Sequence, residues 1–150
     1  NRPLLVSLHY DTCGQCDRTR SEVFSDPRFI EFANAHCVVV VGQHPHDAGE
    51  KPHRKNTDGK CTLWPTLACT EHEAIFEEGT RFTEGFQNSP GTFILDPRAV
   101  ASGKGFREAT LIGEWDLPKS GQGIDAFIRK IQEAQERMGS PGAPSQNLRE

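Results

Sequence analysis

The sequence has few hydrophobic residues and no excess of basic ones for a chain of 150 residues. Hydrophobic residues make up 35% of the composition, and 21 acidic residues outnumber 17 Lys and Arg. The net charge of −4 argues against nucleic acid as the main partner, because phosphate binding requires a basic face. No apolar run approaches the roughly 18 residues that a transmembrane helix needs. We therefore expect neither nucleic-acid binding nor a membrane span.

Two segments are too poor in apolar side chains to belong to a core. Residues 44–60 contain a single one, Ala48, and residues 139–150 are rich in Gly, Pro and Ser. Such segments bury too little apolar surface to offset the entropy lost on ordering the chain. We expect one domain over residues 1–138, with an insertion over about 44–69 and a disordered tail over 139–150.

Strand and helix patterns alternate in the first part of the chain. Residues 4–10 form an apolar run that ends before the first cysteines, and residues 37–41 form a second run. A continuous apolar run predicts a strand that is buried on both faces. Between these strands we expect a helix that ends at about residue 24 and a second helix that begins at Pro27. A strand, a helical connection and a strand in this order predict a parallel pair.

The second half of the chain predicts a helix, two strands and a final helix. Thr70 and Glu73 have the spacing of a capping box, which places the start of the first of these helices at Thr70. Residues 92–96 and 109–117 are predicted to be strands joined as a hairpin. Apolar residues recur at helical spacing from Ile124 onward. The order β-α-β-α-β-β-α predicts an α/β fold with a mixed central sheet of about four strands flanked by helices.

Cys13 and Cys16 form a Cys-Gly-Gln-Cys motif where the first strand gives way to the first helix. The N-terminus of a helix stabilises a thiolate, because its unpaired N–H groups carry partial positive charge. The two intervening residues allow the sulfurs to meet and close a disulfide. This predicts a redox pair in which Cys13 attacks a substrate disulfide and Cys16 resolves the mixed disulfide. The alternative is an inert or structural pair.

The motif and its surroundings resemble the thioredoxin-like superfamily. The resemblance rests on CGQC, on "VFSDP" at residues 23–27, on "SPGTFILDP" at residues 89–97 and on the β-β-α ending, and it covers about residues 3–138. Within the superfamily the chain is similar to the C-terminal thioredoxin-like domains of the disulfide-reductase (DsbD-type) kind. The resemblance implies the thioredoxin-like fold and a redox-active centre at the two cysteines.

The resemblance also implies which residues bind substrate. The family places a cis-proline before the third strand, facing the cysteine pair, and Pro90 after Ser89 matches that position. The backbone of Ser89 would pair with an extended substrate segment, and Thr12 precedes the first cysteine on the substrate side. Thioredoxins carry a tryptophan at the position of Thr12 and a buried aspartate at the position of Ser7, so this chain departs from them there.

Cys61, Cys69 and His72 lie together in the middle of the sequence. Three interpretations stay open: a Cys61–Cys69 disulfide, a solvated insertion with two reduced thiols, or a zinc or copper site completed by His72 and a loop histidine. The cysteine spacing matches no standard zinc pattern. A disulfide would stabilise the fold by roughly 2.5 kcal/mol. We therefore take Cys61–Cys69 as a structural disulfide candidate and assign no metal.

Two other residues have simpler expectations. Cys37 opens an apolar strand and is expected to be a small core residue. His9, near the motif, is expected to be a partly buried strand residue, with a proton relay to Cys16 as the alternative.

Together these features predict a thiol–disulfide oxidoreductase that exchanges disulfides with protein or peptide substrates. We expect no bound cofactor, since electrons would pass to or from a partner protein. A second disulfide would favour an oxidising compartment, so a periplasmic or secreted location is expected. The alternative is a non-catalytic module of the same fold that binds a metal ion or a client protein.

Overall fold

The structure is a computed structural model that describes residues 2–10, 13–44, 60–86, 90–118 and 121–139. Its elements, numbered along the chain, are β1 (Leu4–His9), α1 (Gly14–Thr19), α2 (Pro27–His36), β2 (Val38–Gln43), α3 (Cys69–Phe82), β3 (Gly91–Leu95), α4 (Pro97–Ala101), α5 (Phe106–Ala109), β4 (Thr110–Ile112) and α6 (Ile124–Gly139). A π-helical turn over Arg20–Phe24 continues α1. Most of the predicted insertion, and the predicted tail beyond Gly139, lie outside the described residues.

The described strands form one mixed sheet in the order β2-β1-β3-β4. β1 runs parallel to β2, as the strand-helix-strand order predicted, and Val6 lies opposite Val40. β1 is antiparallel to β3, and β3 is antiparallel to β4. The predicted α/β fold with a mixed sheet flanked by helices is therefore confirmed.

β2 lies at an edge of the sheet, and only its second half is buried, so the prediction that the whole strand is buried on both faces is wrong. Val38 and Val39 at its start are each 38% exposed, whereas Val41 is buried. Val41 is buried because α3 packs along the second half of β2. There the helix passes so close that a Cβ atom on Gly42 would lie 2.7 Å from the Cα atom of Phe76.

Apolar side chains form a core on each face of the sheet. On one face α2 and α6 meet, and the rings of Phe29 and Phe127 lie with centroids 6.2 Å apart. On the other face Phe76 of α3 packs with Leu8. Strand side chains alternate between faces, so β1 contributes Leu5 to the first core and Leu8 to the second.

Asp-Pro pairs begin two of the helices. The Asp26 carboxylate accepts a hydrogen bond from the backbone N–H of Arg28 (2.8 Å), and the Asp96 carboxylate accepts one from the backbone N–H of Arg98 (2.9 Å). Each aspartate is the N-cap of its helix, and proline follows at the first helical position.

The cap at Asp96 changes the connection between the last two strands. Because it starts a helix directly after β3, the chain passes through α4 and α5 before it reaches β4. The predicted simple hairpin is therefore wrong, although the two strands are antiparallel neighbours. β4 is also much shorter than the predicted strand at residues 109–117.

Helix α3 begins at Cys69 rather than at Thr70, so the predicted Thr70–Glu73 capping box is wrong. Its N-cap is Ala68, whose backbone N–H donates a hydrogen bond to the Glu71 carboxylate (2.6 Å). Glu71 therefore supplies the cap, and Cys69 is brought into the first turn of the helix.

Candidate redox site

Cys13 and Cys16 lie at the start of α1, on the loop that follows β1. Cys13 is the N-cap residue of the helix, and its Sγ accepts a hydrogen bond from the backbone N–H of Cys16 (3.0 Å). A disulfide joins the two residues, whose Cα atoms are 5.2 Å apart. The fold therefore brings the two predicted cysteines together as a pair.

The two cysteines differ in their access to solvent. Cys13 is partly exposed, whereas Cys16 is only 1% exposed. Disulfide exchange requires the incoming sulfur to reach the sulfur that it attacks. A sulfur from solvent can therefore reach Cys13 more readily than Cys16.

The surroundings of Cys13 favour a negative charge on its sulfur. The backbone N–H of Cys16 points at it, and the N-terminus of α1 adds partial positive charge. Asp17 follows the motif, but its carboxylate pairs with the guanidinium group of Arg20 at 2.8 Å. This pairing offsets the negative charge that would otherwise oppose a thiolate.

A chain of buried polar side chains lies on β1 and β3 near the motif. The Ser7 hydroxyl forms hydrogen bonds with Nε2 of His9 (2.8 Å) and with the Thr92 hydroxyl (2.9 Å). Ser7 occupies the position where thioredoxins carry a buried aspartate, so a neutral group stands in place of a carboxylate. Sequence reasoning missed Thr92, because its contact with Ser7 depends on the pairing of β1 with β3.

His9 is more deeply buried than the sequence predicted. Its exposed fraction is 0%, and its ring packs edge-on against Trp64 at a centroid distance of 5.2 Å. Burial, and secondarily the positive charge of Arg20, lower the pKa of His9 to about 3. The imidazole is therefore neutral near pH 7 and a weak base, which argues against the alternative of a proton relay.

Pro90 lies immediately before β3, at the end of the sheet where β1 leads toward the cysteines. The register pairs Gly91 with Leu8, so the start of β3 lies beside the end of β1. Pro90 is half-buried. The other two predicted substrate-binding residues, Thr12 and Ser89, lie outside the described residues.

The predicted Cys61–Cys69 disulfide is not formed in the structure. Both residues are buried, but no bond joins them. Instead both thiols lie near the imidazole of His72. Cys37 is 2% exposed and belongs to a core, as expected, and burial raises the pKa of its thiol to about 11.

Comparison with solved structures identifies the architecture. No family model and no curated protein matches the chain. A solution structure of a thioredoxin from Thermus thermophilus aligns with 95% of this chain and 80% of its own, with a TM-score of 0.52 and 18% identity. The chain has a thioredoxin-like fold. The resemblance to DsbD-type domains in particular stays a prediction.

In this thioredoxin-like fold the partly exposed Cys13, the buried Cys16 and Pro90 lie at one end of the sheet. Within the residues that the structure describes, every helix is too short or too polar to cross a bilayer.

Proposed function

We propose that this protein is a thiol–disulfide oxidoreductase that acts on disulfides of proteins or peptides. The observation that carries the proposal is the Cys13–Cys16 disulfide at the start of α1, with Cys13 partly exposed and Cys16 buried. The proposal is supported by the solvent access of Cys13 and by the positive charge around its sulfur.

Reduction of a substrate takes place in two exchange steps. In the reduced protein the thiolate of Cys13 attacks one sulfur of the substrate disulfide, and the other substrate sulfur leaves as a thiolate and takes up a proton. The thiolate of Cys16 then attacks Sγ of Cys13 and releases the first substrate sulfur. The substrate gains two electrons and two protons, and the protein is left with the Cys13–Cys16 disulfide.

We also propose that Pro90, Ser89 and Thr12 bind the substrate, as the family resemblance implies. An extended substrate segment would pair with the backbone of Ser89 and bring its disulfide to Cys13. The reduced cysteine pair holds the two electrons of one exchange cycle. A partner protein would then supply electrons to the oxidised pair or accept them from the reduced pair. The direction of flow depends on the relative stability of thiol and disulfide forms, and about 30 mV corresponds to only 1.4 kcal/mol.

The proposal is tested by measuring insulin reduction with the wild-type protein and three single cysteine variants. We expect Cys13→Ser to abolish activity, because the attacking sulfur is lost. Cys16→Ser should instead accumulate a mixed disulfide with substrate at Cys13, which mass spectrometry detects. Cys37→Ser removes a buried cysteine that lies outside the pair, so this control should keep its activity. Equal activity in wild type and Cys13→Ser would refute the proposal.

A glutathione redox titration with alkylation and mass mapping supplies the midpoint potential. Interconversion of Cys13 and Cys16 as one pair is the expected result, and the midpoint would distinguish a reductant from an oxidant. A pair that never exchanges would favour the non-catalytic module. The periplasmic or secreted location remains a proposal, which fractionation of the source cells tests.

A further inference from the structure

Three buried side chains of types that can bind a metal ion converge outside the Cys13–Cys16 pair. Cys61, Cys69 and His72 each offer one ligand atom, and these atoms all lie within 4.8 Å of one another. Their residues are 0%, 5% and 0% exposed, respectively. Two thiols and an imidazole are the donors that zinc and copper(I) prefer.

The local backbone builds this cluster from a tight loop and a helix start. Lys60 and Ala68 form an antiparallel bridge, and the backbone N–H of Cys61 donates to the carbonyl of Leu67 (2.9 Å). This pairing sets Cys61 beside Cys69. His72 follows Cys69 by three residues on α3, so both side chains project from the same face of the helix.

The separation of the ligand atoms suits a metal ion of this class. Zinc bonds of about 2.3 Å to sulfur and 2.0 Å to nitrogen, in a tetrahedral arrangement, place ligand atoms about 3.5 to 3.8 Å apart. The ligand atoms of the cluster all lie within 4.8 Å of one another, which is within about 1 Å of these separations.

Charge balance decides which ion suits the interior. A buried site favours zero net charge, because an uncompensated charge is costly away from water. Two thiolates and a neutral imidazole carry a charge of −2, which Zn²⁺ cancels and Cu⁺ only halves. We propose that Cys61, Cys69 and His72 form a binding site for a thiophilic metal ion, with Zn²⁺ as the preferred occupant.

Apolar side chains pack around the cluster. Val41 and Trp64 pack with the two cysteines, and the Trp64 indole N–H donates to Oε1 of Gln43 (3.1 Å). Trp64 also contacts His9 on β1. A metal ion here would tie the loop that carries Cys61 to the first turn of α3.

Metal binding is tested on the full chain carrying Cys13→Ser and Cys16→Ser. These substitutions remove the redox thiols, so any metal that binds through thiolates must use other cysteines. The reduced protein is titrated without oxygen with Co²⁺ and then with Zn²⁺. We expect one ion per chain, thiolate-to-cobalt charge-transfer absorption that Zn²⁺ abolishes, and release of two protons from the thiols. Zn²⁺ should also raise the Tm, because it binds the folded state. A separate titration with Cu⁺ tests the other candidate ion.

Cys61→Ser and His72→Gln, made in the same background, should each weaken Zn²⁺ binding by about a hundredfold or more. Cys37→Ser is the matched control, because it removes a buried cysteine outside the cluster, and its affinity should not change. If a ligand variant does not fold, the charge-transfer absorption of Co²⁺ in the protein with all three ligands still shows whether thiolates bind the ion.

Three results would overturn the proposal. They are the absence of stoichiometric Co²⁺ or Zn²⁺ binding, binding that survives in folded Cys61→Ser and His72→Gln, and a clear preference for Cu⁺ over Zn²⁺. A Cys61–Cys69 disulfide in the purified protein, with no metal uptake after its reduction, would return these cysteines to the disulfide interpretation.

Discussion

At the scale of single residues, the polar chain of Ser7, His9 and Thr92 distinguishes this site from that of thioredoxins. A neutral hydroxyl lies where thioredoxins carry a buried carboxylate, and a neutral imidazole is hydrogen-bonded to it. Burying neutral partners in a hydrogen-bonded chain avoids the cost of an isolated buried charge. The hydrogen bond between Ser7 and Thr92 therefore links β1 to β3 in addition to the backbone pairing of the two strands.

The lowered pKa of His9 predicts that the protein loses stability in mild acid. The pKa is about 3 in the folded state and about 6.5 in the unfolded state, so the unfolded state binds more protons between these values. This contribution to stability is complete above pH 6.5 and is lost as the pH falls toward 3. Between pH 7 and pH 5 we expect a loss of about 2 kcal/mol in the free energy of unfolding. Urea denaturation with a chelator present measures it.

The variant His9→Gln controls for the other titrating groups. Glutamine can hydrogen-bond to Ser7 but does not titrate, so its stability should change much less between pH 7 and pH 5. An identical decline in the two proteins would assign the acid sensitivity to other residues. The carboxyls of Asp96 and Glu133 have pKa values held below their usual range by cations, so their effects come at lower pH.

At the scale of elements, the contact of α3 with β2 depends on glycine. Gly42 lies against the backbone of Phe76, which cannot rotate away. We expect Gly42→Ala to destabilise the protein by about 2 kcal/mol, because the added methyl forces strand and helix apart. Thermal or urea unfolding measures the change.

Gly139 provides the matched control for this substitution. It is exposed at the end of α6, and a Cβ atom there would meet nothing within 4 Å. Gly139→Ala should change the stability by less than about 1 kcal/mol. If the two substitutions had equal effects, the close approach at Gly42 would not be a determinant of packing.

Most elements were predictable because their signals are local. Pro27 marks the start of α2, and the spacing from Ile124 onward marks α6, both through residues only a few positions apart. The same reasoning failed at α3, where two glutamates offered competing caps. The stretch at Asp96-Pro97 carries the same cap signal as α2. A helix predicted to begin at this signal would have replaced the predicted hairpin with a helical connection.

At the scale of the whole molecule, stability depends on the core between the sheet and α2 and α6. Ile131 of α6 is fully buried in this core. We expect Ile131→Ala to lower the free energy of unfolding by about 3 kcal/mol, through lost apolar burial and the cavity left behind. Ile30→Ala on α2 is the matched control, because Ile30 is 44% exposed and its loss should cost about 0.5 kcal/mol.

Urea denaturation of the two isoleucine variants decides whether α6 belongs to the cooperative unit. Similar small losses for both would mean that α6 is detached from the core in solution.

The sequence by itself determined the order of the strands, the α/β class and the cysteine pair. It could do so because caps, periodicity and a two-residue spacing are local properties of the chain. Only the tertiary structure decided that β2 lies at an edge, that Ser7 meets Thr92, and that Cys61, Cys69 and His72 converge without a disulfide. These outcomes depend on strand order and helix packing, which bring together residues that no local pattern relates.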